Sequence, residues 1–150
     1  MQKYYTKYDE ENKYNATRVS LEELFSESDI VSLQLPLNED TKNLIGEKLL
    51  SLMKPSAYLI NTARAEIIDY EALYKILNTK KIVGCAFDGF YQEPVDVNTK
   101  EAKLLSLENF ILTPHTGYFA YEGVERVEKM CINNLIQIFD NKPCNSVVSK

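Results

Sequence analysis

Short apolar runs separated by amphipathic segments dominate the pattern of hydrophobic and polar positions along the chain. Five runs have the character of strands and cover residues 2–9, 30–36, 57–63, 82–90 and 110–115. Several are apolar at neighbouring positions, as Ile30, Val31 and Leu33 are, and this is typical of a strand covered on both faces. The pattern therefore predicts short buried strands.

Helical periodicity lies between these runs. Ser20 and Glu23 have the spacing of a capping box, and Asp69 can cap a helix with apolar residues at steps of three and four. Residues 46–53 predict a shorter helix. Residues 121–139 predict a long one, whose stripe we expect to face the core: Val124, Val127, Cys131, Leu135 and Ile138. Strands that alternate with helices need crossover connections, so the order predicts a parallel α/β sheet.

Composition and charge narrow the classes of function. The 150 residues, 45% of them hydrophobic, suffice for one domain. The net charge is −5 and the lysines are scattered among acidic residues, so we expect no nucleic acid partner. No apolar run approaches the roughly 20 residues that span a bilayer, so we expect no membrane partner and a cytoplasmic location. The three cysteines lie far apart without a CxxC pair, which predicts no metal site.

Polar residues stand where the predicted strands end, and ligands of open parallel sheets bind beyond the carboxyl ends of the strands. Arg64 follows the third run, Glu93 follows the fourth and His115 ends the fifth. A guanidinium can grip a substrate carboxylate through two parallel hydrogen bonds. An imidazole can exchange a proton near neutral pH, and a carboxylate on its other nitrogen can fix the tautomer. Together they predict redox chemistry on a hydroxy acid.

Such a reaction needs a cofactor such as NAD, because none of these side chains accepts hydride. Asp9, which ends the first run, is the candidate for the ribose. In a dinucleotide-binding fold, an acidic residue at the end of the second strand can bind both ribose hydroxyls, and the first run of this chain would correspond to that strand. Glu10 and Glu11 remain alternatives. Taken singly, His115 is more often a structural or surface histidine, and Arg64 an ordinary salt-bridge partner. Their joint occurrence at consecutive strand ends favours a site.

Read in order, several segments resemble the D-isomer-specific 2-hydroxyacid dehydrogenases, the family that includes phosphoglycerate, D-lactate, glycerate and formate dehydrogenases. The segments are YD at 8–9, SLEEL at 20–24, DIVSLQLPL at 29–37, MKP at 53–55, INTAR at 60–64, FDGF at 87–90, EP at 93–94 and TPHTG at 113–117. The resemblance runs over nearly the whole chain. It implies a Rossmann-like parallel sheet with helices on both faces.

The resemblance also implies roles for individual residues. Arg64 would be the substrate-binding arginine, Glu93 the glutamate that supports the histidine, and His115 the general acid and base. The implied positions for NAD are Asp9 at the adenosine ribose, Leu35 and Pro36 on the adenosine side, Thr62, Ala63 and Gly117 beside the nicotinamide, and Asp88 at its carboxamide. The implied partners are a small 2-hydroxy or 2-keto acid and a second copy in a homodimer.

The sequence departs from the family pattern in several places. It contains no GxGxxG and no separate substrate domain, so we expect residues 1–150 to be a partial NAD-binding domain that lacks the first strand and the Gly-rich turn. Gln34 stands where His is common, Ala65 where Gly usually follows the arginine, and Gly89 where Val is frequent. Two functions stay open: an NAD-dependent oxidoreductase of D-2-hydroxy acids, and a non-catalytic remnant or split-gene product that acts as a dimerisation or partner-binding module.

Overall fold

The computed structural model describes residues 2–6 and 16–144. The chain divides into two units, Met1–His115 and Thr116–Lys150. The strands are β1 (Lys3–Tyr4), β2 (Thr17–Arg18), β3 (Ile30–Leu33), β4 (Tyr58–Asn61), β5 (Gly84–Asp88) and β6 (Phe110–Thr113). The α-helices are α1 (Leu21–Glu27), α2 (Glu47–Leu52), α3 (Tyr70–Asn78) and α4 (Tyr121–Phe139), and two short 3-10 helices cover Ala65–Ile67 and Glu101–Ser106.

Four parallel strands form the main sheet of the first unit, in the order β3-β4-β5-β6. The register is continuous, since Leu33 pairs with Asn61, Asn61 with Phe87, and Asp88 with Thr113. Because all four strands run in the same direction, their carboxyl ends meet at one edge of the sheet. The predicted α/β fold with a Rossmann-like parallel sheet is confirmed.

The first predicted strand, over residues 2–9, differs from the prediction. Within the described residues its strand is Lys3–Tyr4, which pairs with Thr17–Arg18 in a separate two-stranded parallel sheet. Residues 7–15 lie outside the part of the chain that the structure describes. The sequence pattern did not predict β2, because two residues with exposed side chains carry no apolar period. The other four strands are confirmed, each shorter than its apolar run.

One hydrophobic core joins the main sheet to α1, α2 and α3. The two predicted caps are present: the Ser20 hydroxyl accepts a hydrogen bond from the Glu23 N–H at 3.1 Å, and the Asp69 carboxylate accepts one from the Ala72 N–H at 2.8 Å. Each cap satisfies an N–H group that has no partner inside its helix. The largest fully buried apolar side chains of this core are Phe25, Phe87, Ile45, Leu50, Leu59, Ile67, Ile68, Leu73, Leu77, Ile82 and Leu104.

The face of the main sheet that points away from the core is partly exposed, whereas the sequence pattern predicted strands covered on both faces. Val31 and Leu59 are buried, but Ile30, Tyr58 and Ile111 are between 49% and 62% exposed. Only one face of these strands therefore packs into the core. A short apolar run does not distinguish a covered face from an uncovered one, because both kinds of strand tolerate large apolar residues.

The second unit contains α4, which has the predicted bounds, Tyr121–Phe139. The expectation that its apolar stripe faces the core is wrong. No residue of α4 is buried, and Val127 and Leu135 are each more than half exposed. The helical period identifies an apolar face but does not say what covers it. Among the described helices, none is long and apolar enough to cross a membrane.

Candidate active site

One cleft at the carboxyl edge of the main sheet is lined by all three predicted catalytic side chains. Arg64 follows β4, Glu93 lies in the loop after β5, and His115 follows β6. The cleft has a volume of about 230 Å³, and its other lining residues are Ala63, Glu66, Gly89, Phe90 and Tyr91. The parallel topology brings the three together because neighbouring strands end at the same edge.

Glu93 and His115 form a hydrogen-bonded pair in this cleft. Nδ1 of His115 lies 2.8 Å from Oε2 of Glu93, and Oε1 of Glu93 accepts a hydrogen bond from the Phe90 N–H at 2.9 Å. The side chain of His115 is 36% exposed and that of Glu93 is 40% exposed, so water screens the pair. With Nδ1 occupied by the carboxylate, Nε2 is the ring nitrogen that can exchange a proton with a substrate.

The environment of Glu93 keeps its carboxylate charged. The hydrogen bond from His115 lowers the pKa of the Glu93 carboxyl below its ordinary value of 4.5, and the Phe90 N–H and the positive charge of Arg64 act in the same direction. Glu93 is therefore negative throughout the neutral range. A fixed carboxylate beside Nδ1 holds the orientation of the ring.

Replacing Glu93 with Gln is expected to make stability less sensitive to acid. A carboxyl with a lowered folded pKa stabilises the fold above its unfolded value, about 4.5, and this contribution is lost as the pH falls through the folded value. The contribution is small because Glu93 is largely solvated. Urea unfolding of both proteins over a pH series measures it. Glu27 and Glu47 also have lowered pKa values, so the difference between the proteins is compared, and identical profiles contradict the prediction.

Asn61 fixes the turn that carries Arg64, a role that the sequence interpretation missed. Asn61 ends β4 and is 2% exposed. Its Nδ2–H donates to the carbonyl oxygen of Arg64 at 2.9 Å, and its Oδ1 accepts from the N–H of Ala63 at 3.0 Å. The Arg64 guanidinium has five N–H donors, and Nη1–H donates to the Ala63 carbonyl at 2.8 Å. A buried amide at the end of an apolar strand is the feature that points to this role.

Replacing Asn61 with Ala is expected to lower the free energy of unfolding by about 1 to 3 kcal/mol, because the Ala63 N–H and the Arg64 carbonyl each lose a partner. Urea unfolding followed by circular dichroism measures the change. Asn98→Ala is the control, since the Asn98 side chain is exposed, and its expected effect is within about 0.5 kcal/mol. Equal losses in the two variants argue against the anchoring role of Asn61.

Three of the predicted nicotinamide positions, Thr62, Ala63 and Asp88, lie at the ends of strands along the same edge. The Gln34 side-chain N–H donates to the hydroxyl of Thr62 at 2.9 Å, which links the ends of β3 and β4. The Thr113 hydroxyl donates to Oδ1 of Asp88 at 2.6 Å, which links β5 and β6. A hydroxyl and an oriented carboxylate can both hydrogen-bond an amide. This set of groups fits the carboxamide end of NAD.

The remaining predicted nucleotide positions are less completely described. Leu35 packs partly buried against the core, and the carbonyl of Pro36 accepts a hydrogen bond from the Thr41 hydroxyl at 2.7 Å. Gly117 lies in the second unit. Asp9 lies outside the described residues. The roles of these four positions stay predictions, as do those of Thr62, Ala63 and Asp88.

Comparison with known proteins supports the resemblance. The sequence model for the NAD binding domain of D-isomer specific 2-hydroxyacid dehydrogenases matches residues 1–117. A glyoxylate reductase of Korarchaeum cryptofilum is 42% identical over 128 residues, which cover 85% of this chain and 38% of the relative. The chain thus spans well under half the length of this relative.

Two solved structures are similar to nearly the whole of this chain, which matches less than half of each of them. An acyclic imino acid reductase in complex with NADPH and D-Arg superposes with a TM-score of 0.87 and 35% identity, over 98% of this chain and 46% of that chain. The NAD-complexed D-isomer specific 2-hydroxyacid dehydrogenase of Lactobacillus delbrueckii ssp. bulgaricus gives a TM-score of 0.84 and 31% identity, over 98% and 48%. The fold, the matched segment and these similarities agree, and the chain belongs to the D-isomer specific 2-hydroxyacid dehydrogenase family, in its NAD-binding domain.

Proposed function

We propose that the protein containing this chain interconverts a D-2-hydroxy acid and its 2-keto acid with NAD as cofactor. The observation that carries the proposal is the 2.8 Å pair of His115 and Glu93 in the cleft that Arg64 also lines. A 2-keto acid presents a carboxylate, which needs a cation, and a carbonyl oxygen, which needs a proton donor. This cleft offers both. Membership of the family supports the class of reaction.

Each of the three side chains has one task in this proposal. Arg64 binds the substrate carboxylate through its planar N–H fork and so fixes the neighbouring carbon. Glu93 holds Nδ1 of His115, and Nε2 donates a proton to the carbonyl oxygen during reduction or removes one from the hydroxyl during oxidation. NAD, when bound, supplies or accepts the hydride.

The residues that would hold the cofactor divide between its two ends. Thr62, Ala63, Asp88 and Gly117 are assigned to the nicotinamide, and Asp9, Leu35 and Pro36 to the adenosine. Residues 1–150 are assigned to part of the NAD-binding domain, and the opposite wall of the cleft to a substrate domain outside them. The share of the relatives that the chain spans, 38% to 48%, supports this division. The non-catalytic alternative gains no support from the comparisons.

The test uses the protein that contains this chain. It measures NADH oxidation with a panel of small 2-keto acids, together with NADH binding by fluorescence. Arg64→Lys is expected to raise KM for the keto acid about 10- to 100-fold with a smaller change in kcat, because lysine keeps the charge but lacks the two-pronged geometry. Arg126→Lys is the matched control, since Arg126 is exposed on α4, and it should change neither constant. Binding of NADH without turnover of any 2-keto acid argues against the proposal.

A further inference from the structure

The backbone of Gly89 lies against the pair formed by Glu93 and His115. It is buried, and its φ of +104° is a backbone conformation that L side chains rarely adopt. A Cβ placed on Gly89 would stand 2.9 Å from Oε1 of Glu93, 3.1 Å from Nδ1 of His115 and 3.3 Å from its Cγ. Real Cβ atoms essentially never make contacts shorter than 3.0 Å. The conformation favours glycine at this position, and a Cβ added there would displace the Glu93 carboxylate or the His115 ring.

A single carbonyl oxygen joins Gly89 to His115. The carbonyl of Thr113 accepts hydrogen bonds from the N–H of Gly89 at 3.2 Å and from the N–H of His115 at 2.9 Å. His115 also has a positive φ, +56°. The ends of β5 and β6 are thus tied together by two residues in unusual backbone conformations. This tie brings the imidazole against the bare backbone of residue 89.

We propose that Gly89 is a positioning residue for the pair of Glu93 and His115. The missing side chain lets the carboxylate lie against the backbone, where Oε1 reaches the Phe90 N–H and Oε2 reaches Nδ1. Any larger residue pushes the carboxylate and the ring apart or moves the backbone. The effect on turnover rests on the proposed function, but the positioning itself does not.

The tautomer of His115 reports this positioning directly. His115 is the only histidine of the chain, so its two ring nitrogens give unambiguous NMR signals in the labelled 150-residue protein. In the neutral ring, the bond to Glu93 favours a proton on Nδ1, whereas an imidazole without such a partner favours one on Nε2. Gly89→Ala is expected to move the neutral ring from mainly Nδ1–H to mainly Nε2–H. Gly46→Ala should leave the signals unchanged, because the nearest atom to its Cβ is the Asn43 carbonyl oxygen at 4.0 Å.

A double-mutant cycle separates crowding from backbone strain. Removing the carboxylate in Glu93→Ala removes the shortest contact of the added Cβ, so Gly89→Ala is expected to lower the unfolding midpoint by half as much or less in that background. If Gly89→Ala destabilises the protein only through backbone strain at this φ, the unfolding midpoint falls by the same amount in both backgrounds. An unchanged tautomer in Gly89→Ala, or equal losses in the two backgrounds, overturns the proposal.

The cycle also covers the case in which Gly89→Ala does not fold. A double variant that folds then supports the proposal, and a double variant that does not fold overturns it. These readouts need neither NADH nor substrate. Failure of the proposed enzymatic reaction therefore leaves this test intact, and failure of this test leaves that reaction open.

Discussion

Replacing His115 with Gln is expected to lower kcat for reduction of a 2-keto acid by a factor of about 10² to 10⁴, the usual contribution of a positioned acid or base. The amide of glutamine can donate a hydrogen bond to Glu93 but cannot release and regain a proton near neutral pH. The initial rate of NADH oxidation at saturating keto acid measures the loss. NADH affinity, measured by fluorescence, should change little, because the substitution leaves the assigned nucleotide positions intact.

The stability of the same variant is the control for a structural effect. His115 is partly exposed and lies outside the hydrophobic core, so His115→Gln should unfold within a few degrees of the wild-type midpoint. A rate that falls together with a large drop in that midpoint reflects misfolding. A correctly folded His115→Gln protein that retains more than about a tenth of the wild-type kcat shows that another group transfers the proton.

Replacing Phe87 with Ala is expected to lower the free energy of unfolding by about 3 to 5 kcal/mol, because a large buried ring is replaced by a cavity. Phe87 lies in β5 at the centre of the core. Its ring meets that of Phe110 edge to face, with centroids 5.2 Å apart, and that of Tyr91 at 6.1 Å. A loss of this size is a large part of the total stability of a domain. Urea unfolding followed by circular dichroism gives the value.

Phe139→Ala is the matched control for this prediction. Phe139 ends α4 and is 81% exposed, so removal of its ring should change the free energy of unfolding by no more than about 0.5 kcal/mol. Equal losses in the two variants argue that burial does not determine the cost. Because Tyr91 also borders the active-site cleft, Phe87→Ala is further expected to disturb the loop that carries Glu93.

The fold and the three central side chains could be predicted because their determinants are local or topological. Ser20 and Asp69 act on N–H groups within the first turn of their own helices, so their caps are readable from spacing. Arg64, Glu93 and His115 each follow a strand, and parallel strands end at one edge. Once the strands are recognised, the convergence of these side chains follows from the direction of the chain.

The residues that hold the site in place could not be predicted in the same way. Asn61 hydrogen-bonds the turn that follows its strand, and Thr113 hydrogen-bonds Asp88, its partner in the register of β5 and β6. Both sets of partners are set by the folded backbone and not by spacing along the sequence. Gly89 stood out in the sequence only as a departure from the family pattern. Its meaning depends on a positive φ and on two side chains from other segments, Glu93 and His115. No periodicity in the sequence records such angles.

Two of the remaining errors share one physical cause. Ile30, Tyr58 and Ile111 on one face of the sheet, and the stripe of α4, are apolar in sequence and exposed in the structure. An apolar period shows which side chains gain from burial, but it does not name the surface that buries them. The two-residue strand β2 was missed for the opposite reason, since Thr17 and Arg18 have little apolar surface to order.

Helix α4 has a thermodynamic consequence of its own. Within its own unit, its 19 residues include no buried side chain, so that unit supports the helix mainly through backbone hydrogen bonds and local pairs such as Lys129 with Glu125. Helices held in this way sit near the balance between helix and coil in water. Amide hydrogens of α4 therefore exchange with deuterated solvent through local fraying, whereas those of α3, which has five buried side chains, exchange through larger openings. Hydrogen exchange in α4 therefore measures the fraying of one helix, and exchange in α3 measures the opening of the core around it.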